Sequence, residues 1–169
     1  IAELLDTIAG HIRDNQVPAG EWIVASSDWY VNQLKENRFP TRWELDRVAP
    51  QNPVFLPRGA HQSASNSLAL KLGGITKEAI SRRREIVKDP QTGELNGSLV
   101  DTAQEPIKRL LPKESDQASL EALQRVQELA HSLGITSLVD GGVNLGEWQT
   151  MEQLKKSGRL KIRIAARIR

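Results

Sequence analysis

The feature that most constrains this chain is a change of rhythm at Leu111-Pro112-Lys113. From there on, helix, strand, helix and strand follow one another with tight Gly-marked connections, the signature of parallel β/α units. Leu120, Leu123, Val126, Leu129, Ala130 and Leu133 form one face of a helix that begins near Ser115-Asp116 and stops at Gly134. The run Ile135-Thr136-Ser137-Leu138-Val139 predicts a strand, Asp140-Gly141-Gly142 a loop, and residues 148–156 a second helix with Gly158 as its stop. A last strand is predicted over 161–169, where Ile162, Ile164, Ala166 and Ile168 alternate with Lys161, Arg163, Arg167 and Arg169. A closed β/α barrel takes about 250 residues and eight strands. Two units in 169 residues are too few to close one.

Residues 1–112 read differently, as an irregular α+β region. Ile1, Leu4, Leu5, Ile8, Ala9 and Ile12 lie at helical spacing, and Pro18 and Gly20 close that helix. Gly20-Glu21-Trp22-Ile23-Val24 starts a short strand, and Thr41 with Glu44 forms a capping box for a second helix that ends before Pro50. Pro53-Val54-Phe55-Leu56 reads as a buried strand. Leu68, Leu70 and Leu72 lie in a helical stretch over 65–72 closed by Gly73-Gly74. Residues 85–101 read as a β-hairpin whose turn, Asp89-Pro90-Gln91-Thr92-Gly93-Glu94, has the required Pro and Gly. The fold class read from the residues is thus α/β: an α+β region over 1–112, then two parallel β/α units over 113–169.

Composition removes several classes of function. The net charge of +2 gives no reason to expect nucleic acid or an acidic membrane as a partner. No stretch of 18 apolar residues occurs. The start, Ile1-Ala2-Glu3-Leu4-Leu5, lacks the basic region of a secretory signal, which predicts a cytoplasmic location. The absence of Cys excludes disulfides, thiolate metal sites and cysteine nucleophiles. An Ile start inside a helical pattern, together with an uncapped final strand, predicts a piece of a longer protein.

Few residues carry candidate chemistry. The three histidines, His11, His61 and His131, stand far apart, with none of the i, i+2 or i, i+4 pairs of a metal grip. Glu128 and His131 match a Glu-x-x-His spacing, but a helix-end His near the negative end of the dipole is the better reading. Gly141-Gly142-Val143-Asn144-Leu145-Gly146 fits neither a P-loop nor a dinucleotide fingerprint. Asp140 ends the first parallel strand, where β/α barrels build active sites; helix N-capping explains it equally well. Arg82-Arg83-Arg84, flanked by Glu78 and Glu85, reads as a solvated turn, and Asn96-Gly97-Ser98 as turn chemistry rather than a glycosylation sequon. His61 follows the 54–56 strand through Pro57-Arg58-Gly59-Ala60, with Asn66-Ser67 five residues on at a helix start. A His in such a loop can hold a substrate carbonyl or a proton in transit, or simply bond a neighbouring carbonyl.

The order of these motifs resembles amidohydrolase family 3. Carrying the likeness are Gly20-Glu21-Trp22-Ile23, Trp29, Phe39-Pro40-Thr41-Arg42, Glu44-Leu45-Asp46, Val48-Ala49-Pro50 and Pro53-Val54-Phe55-Leu56. His61 with Asn66-Ser67-Leu68-Ala69-Leu70 follows, then Gly74-Ile75-Thr76, Asp89-Pro90, Thr92-Gly93-Glu94, Gly134-Ile135-Thr136-Ser137 and Asp140-Gly141-Gly142-Val143. The resemblance implies a metal-dependent hydrolase of C–N bonds in amides, cyclic amides or N-substituted formamides. It further implies a β/α barrel and a divalent, zinc-like metal in the full-length parent. The chain has no His-x-His, so no cofactor is expected in the chain itself and no metal ligand is assigned.

By the same resemblance the fold class is α/β with an incomplete TIM-type barrel: residues 1–112 are an inserted α+β subdomain over the barrel mouth, and 113–169 are two β/α units that hold the second and third barrel strands. His61 becomes a substrate-side residue with Asn66 as its structural partner, and Asp140 a further substrate-side candidate. Two departures bear on the substrate pocket: Gly59-Ala60 where many relatives have Asp-Gly or Gly-Gly, and Ala64 where many carry a large side chain. The partners expected are the remainder of the barrel or a second copy of the chain, and a small-molecule amide for the parent. The chain alone is expected to be inactive. A self-contained binding or regulatory module is the alternative, and an unrelated enzyme that brings Asp140, Glu147 and His61 together is a third reading.

Overall fold

The computed structural model describes residues 1–77, 85–113 and 115–168. The basic run Arg82-Arg83-Arg84 and its flanking Glu78 lie outside the described residues. Contacts along the chain divide the protein into two compact units, Ile1–Pro112 and Lys113–Arg169.

The first unit opens with α1 (Ala2–Asp14), whose Leu5 and Ile8 are buried one turn apart. After β1 (Ile23–Val24) comes α2 (Arg42–Val48). Its start is set by Thr41: Glu44 N donates to Thr41 Oγ1 at 3.4 Å, while Thr41 N donates to Glu44 Oε2 at 2.8 Å. The strands β2 (Val54–Arg58), β3 (Gln62–Ser65), β4 (Ile86–Lys88) and β5 (Leu95–Val100) complete a mixed sheet of order β1-β2-β3-β5-β4. Only β1 and β2 run parallel; the other neighbours are antiparallel. Short helices α3 (Ser67–Leu72) and α4 (Glu105–Lys108) follow β3 and β5.

Alternation along the strands sorts the core onto the two faces of this sheet. Val54, Leu56 and Ala64 pack with Ile1, Leu5 and Ile8 of the α1 region and with Leu45 of α2. Phe55, Leu95 and Leu99 pack with Ala69 and Leu70 of α3 and Ile107 of α4. Burying each large aliphatic side chain of this kind stabilises by about 1.5–3 kcal/mol, so helices on both faces hold the sheet in place.

Two readings of this unit need correction. Residues 62–65 are a central strand, not part of a loop running into the helix. Their backbone pairs with β2 on one side and β5 on the other, which outweighs the weak strand preference of Gln-Ser-Ala-Ser. Asn96-Gly97-Ser98 is likewise inside β5 rather than a turn.

The second unit holds α5 (Asp116–Ser132), β6 (Ser137–Val143), α6 (Leu145–Lys156) and β7 (Arg163–Ile168). Ser115 Oγ caps α5 by accepting from Ala118 N at 3.1 Å. The strands β6 and β7 form a two-stranded parallel sheet, with Leu138 opposite Ile164 and Asp140 opposite Ala166. Asp140-Gly141-Gly142 therefore continues the strand instead of forming a loop, through a register shift between Asp140 and Val143. The helix α6 begins at Leu145, three residues before the predicted start. Asn144 and Glu147 form its capping box, with bonds of 3.0 Å from Glu147 N and 2.6 Å from Asn144 N.

Leu120, Ala130, Val143, Leu154 and Ile162 are the buried aliphatic residues of this unit. Buried Gln127 steers the chain into β7: its Oε1 accepts from Lys161 N at 2.6 Å, and its Nε2 donates to Arg159 O at 3.4 Å. Leu129, Leu133, Val139, Leu145 and Ile168 are exposed. Among the described residues there is no closed barrel, and no helix is long and apolar enough to cross a membrane.

Candidate functional site

The three candidate residues have three different fates. His61 stands at the hairpin between β2 and β3. Gly59 turns the chain there with φ +56, its N–H donating to Ser27 O at 2.8 Å. Nearby, Trp29 Nε1 donates to Pro57 O at 2.7 Å, and the Arg58 guanidinium lies over the Tyr30 ring, 5.2 Å from its centroid. The His61 side chain is 82% exposed, and its Nδ1 lies 2.7 Å from Asp101 Oδ1.

Asp101 comes from the neighbouring strand, just past the end of β5. Gln62 pairs with Val100, so His61 and Asp101 are the next cross-strand pair, and Asp101 N donates to His61 O at 2.8 Å. Asp101 has φ +44, the left-handed region that Asp tolerates better than most side chains. Fully buried Gln104 spans the pair from below. Its Nε2 donates to Ala60 O at 3.2 Å and to Asp101 O at 3.3 Å, while its Oε1 is buried without a partner.

Asn66 lies at the other end of β3, fully buried. Its Oδ1 accepts from Val54 N and Ala69 N, both at 3.0 Å, and its Nδ2 donates to Ala49 O at 3.0 Å and Asn52 O at 2.9 Å. All four hydrogen-bonding places of the amide are filled. It caps α3 and ties that helix to β2 and to the end of α2, and it makes no bond to His61. Ala64, beside it in the strand, is a buried core residue; its small size fits the packing under Leu45 and Leu56.

Asp140 is exposed on β6, its Oδ1 accepting from Gly142 N at 3.0 Å. It does not cap α6; Asn144 does. Glu147 is committed to that same cap. Asp140 and Glu147 belong to one unit and His61 to the other.

Sequence reasoning missed Asp101 and Gln104. Forty positions separate His61 from Asp101, and only the β3–β5 register brings them together. As for a metal, no group of three or more His, Cys, Asp or Glu side chains gathers among the described residues. His11 lies 3.2 Å from Asn15 Nδ2, His61 is bonded to Asp101, and His131 is exposed in the last turn of α5. These side chains do not fit a metal centre.

Comparison with known proteins gives this geometry a context. The chain is 35% identical over 102 residues to an N-substituted formamide deformylase of Arthrobacter pascens, a match covering 60% of this chain and 18% of that protein. It is 30% identical over 124 residues to the protein LONG AFTER FAR-RED 3 of Arabidopsis thaliana, covering 73% and 21%. The chain thus spans about a fifth of the length of these curated relatives. A crystal structure of an uncharacterized metal-dependent hydrolase from Pyrococcus furiosus has a similar fold, with a TM-score of 0.55 and 22% identity over 99% of this chain and 31% of that one. The model of the amidohydrolase family matches residues 1–168; the chain belongs to the amidohydrolase family.

Proposed function

We propose that this chain is the segment of a metal-dependent amidohydrolase that covers the mouth of the catalytic barrel and supplies part of its wall, in a protein that hydrolyses C–N bonds of amides, cyclic amides or N-substituted formamides. Residues 1–112 form the inserted α+β subdomain over the barrel mouth, and 113–169 supply the second and third barrel strands. His61 faces the substrate, Asn66 braces the strand that carries it, and Asp140 is the substrate-side candidate on the barrel segment. A zinc-like divalent metal is held by residues outside this chain. The barrel's remainder covers the exposed Val139, and a second copy of the chain is the alternative cover.

The observation that carries the reading is the family match over 1–168, joined by a formamide deformylase among the relatives. The parallel β6-α6-β7 arrangement supports it. Parallel sheets normally bury both faces, and Val139, 85% exposed, calls for a cover.

The test is an assay of the full-length protein with added Zn²⁺ against N-substituted formamides and cyclic amides, following formate or ring-opened product. Hydrolysis by the full-length protein and none by the 169-residue chain is the expected result. A full-length protein that binds no divalent metal and cleaves none of these amides would overturn the reading.

A further inference from the structure

We propose that Asp101 fixes the tautomer of His61 so that Nε2 is presented to the substrate as a hydrogen-bond acceptor for an amide N–H, making Asp101 a positioning residue. The choice of ligand rests on the amidohydrolase reading above; the fixing of the ring does not.

The chemistry follows from what each group can do. An ionised carboxylate only accepts hydrogen bonds. The contact of 2.7 Å between Asp101 Oδ1 and His61 Nδ1 therefore places the ring proton on Nδ1. In the neutral imidazole the other nitrogen, Nε2, is then a lone-pair acceptor. No described residue bonds Nε2, and the ring is largely exposed. Such a ring meets a carbonyl poorly, because both present lone pairs. It suits an N–H donor, such as the nitrogen side of a secondary amide.

Stability does not explain this arrangement. Exposed ion pairs add little to folding, yet this one is held with uncommon care. Asp101 adopts a left-handed backbone conformation, and a fully buried Gln104 amide is used to tie Ala60 O and Asp101 O together. The same amide leaves its own Oε1 buried without a partner, an unfavourable state for a core. A strained, over-determined backbone beneath an exposed His–Asp pair is the pattern of a preorganised functional group. Nearby Arg58 is engaged with Gln62 and Tyr30 and does not compete for the ring.

Two measurements test this. The first is a long-range ¹H–¹⁵N correlation spectrum of the His61 ring in the 169-residue chain, at a pH about two units above the ordinary imidazole value. Protonated Nδ1 with bare Nε2 is expected. The Nε2–H form, or an even mixture, would overturn the proposal, and this needs no variant. Asp101→Ala is expected to shift the ring to the Nε2–H form. Asp101→Asn serves the same purpose should the alanine variant fail to fold.

The second is kinetic, on the full-length protein, comparing a secondary formamide with its N-methylated, tertiary counterpart. Loss of a hydrogen bond to a polar group of the site predicts a preference for the secondary amide that falls by about tenfold or more in Asp101→Ala. His61→Ala should lose the preference to the same extent. An unchanged preference in both variants would overturn the proposed role. A full-length protein inert toward both formamides would remove the hydrolase reading and the ligand named here, while the ring spectrum would still decide whether Asp101 sets the tautomer.

Discussion

Gly97 lies so close to Ser65 that a Cβ built on it would fall 2.5 Å from the Ser65 carbonyl oxygen and 2.9 Å from Arg42 N. Both neighbours are backbone atoms of packed elements, so neither can give way cheaply. Gly97 also has φ +101, where side chains are strained regardless of space. A glycine in mid-strand here marks a close backbone approach. We expect Gly97→Ala to cost about 2–4 kcal/mol, the sum of strain and overpacking. Gly158→Ala, with φ +68 and open space around the added carbon, should cost about 1–2 kcal/mol. Urea unfolding of the two variants checks the order; equal losses would refute the close-approach account.

Asn66 and His61 should separate cleanly in mutagenesis. Asn66→Ala strands two donors and two acceptors in the core, at a cost of about 3–5 kcal/mol. Asn66→Asp should be comparably harmful, since it places acceptor atoms against the carbonyls of Ala49 and Asn52. His61→Ala, on an exposed ring, should change stability by less than about 1 kcal/mol. Thermal melts of the three variants test the assignment of one residue to architecture and the other to recognition. A strongly destabilised His61→Ala would show that the His61–Asp101 pair is a structural lock.

The contrast between these two residues also shows what a sequence discloses. Local signals were legible: the Thr41–Glu44 box, the Ser115 cap, and the Asp89-Pro90 turn, where Asp89 Oδ1 accepts from Thr92 N at 2.8 Å. The split between the irregular region and the β/α region could be proposed from periodicity alone. The strand at 62–65 was not legible, because Gln-Ser-Ala-Ser has neither alternation of polarity nor branched side chains, and only its two neighbours make it a strand. With that strand missing, the cross-strand partner of His61 could not be named. In β6, Gly141-Gly142 suggested a loop, yet pairing resumes at Val143 with Ile168. In each case the deciding information is tertiary pairing, which propensity does not carry.

Acid should weaken the first unit through Glu44. Arg38 donates to both of its oxygens, at 2.8 and 2.7 Å, and the Thr41 N–H and hydroxyl donate at 2.8 and 2.9 Å. Arg38 is the main cause, and together these groups hold the carboxyl at about 2, against an ordinary 4.5. A lowered folded-state value means the stabilisation is fully present above about pH 4.5 and is lost as pH falls toward about 2. The Arg38 side chain is 47% exposed, and solvent screening limits the contribution to roughly 1 kcal/mol. Glu44→Gln should therefore lose about that much at neutral pH and flatten the fall in stability between the two values. Chemical denaturation at pH 7, 4 and 2.5 reads both effects; a variant with an unchanged acid slope would remove Glu44 from the account.

Val139 should govern self-association of the 169-residue chain. It sits in mid-strand on β6, opposite Ala165, and is 85% exposed, with Ile168 exposed at the end of β7. A two-stranded parallel sheet has two open edges as well as uncovered apolar positions, and both invite pairing with another chain. Exposed strand edges and apolar surface drive association in the micromolar range. We expect dimers or strand-exchanged species in light scattering at tens of micromolar. Val139→Lys should return the chain to a monomer without loss of stability, because the side chain makes little use of the core and a charge on an open sheet opposes pairing. Leu154→Ala, which removes a fully buried side chain of the same unit, should instead cost about 2–5 kcal/mol and increase association by loosening the fold. A wild-type chain that stays strictly monomeric at these concentrations would show that the uncovered β6 face does not suffice to recruit a second copy.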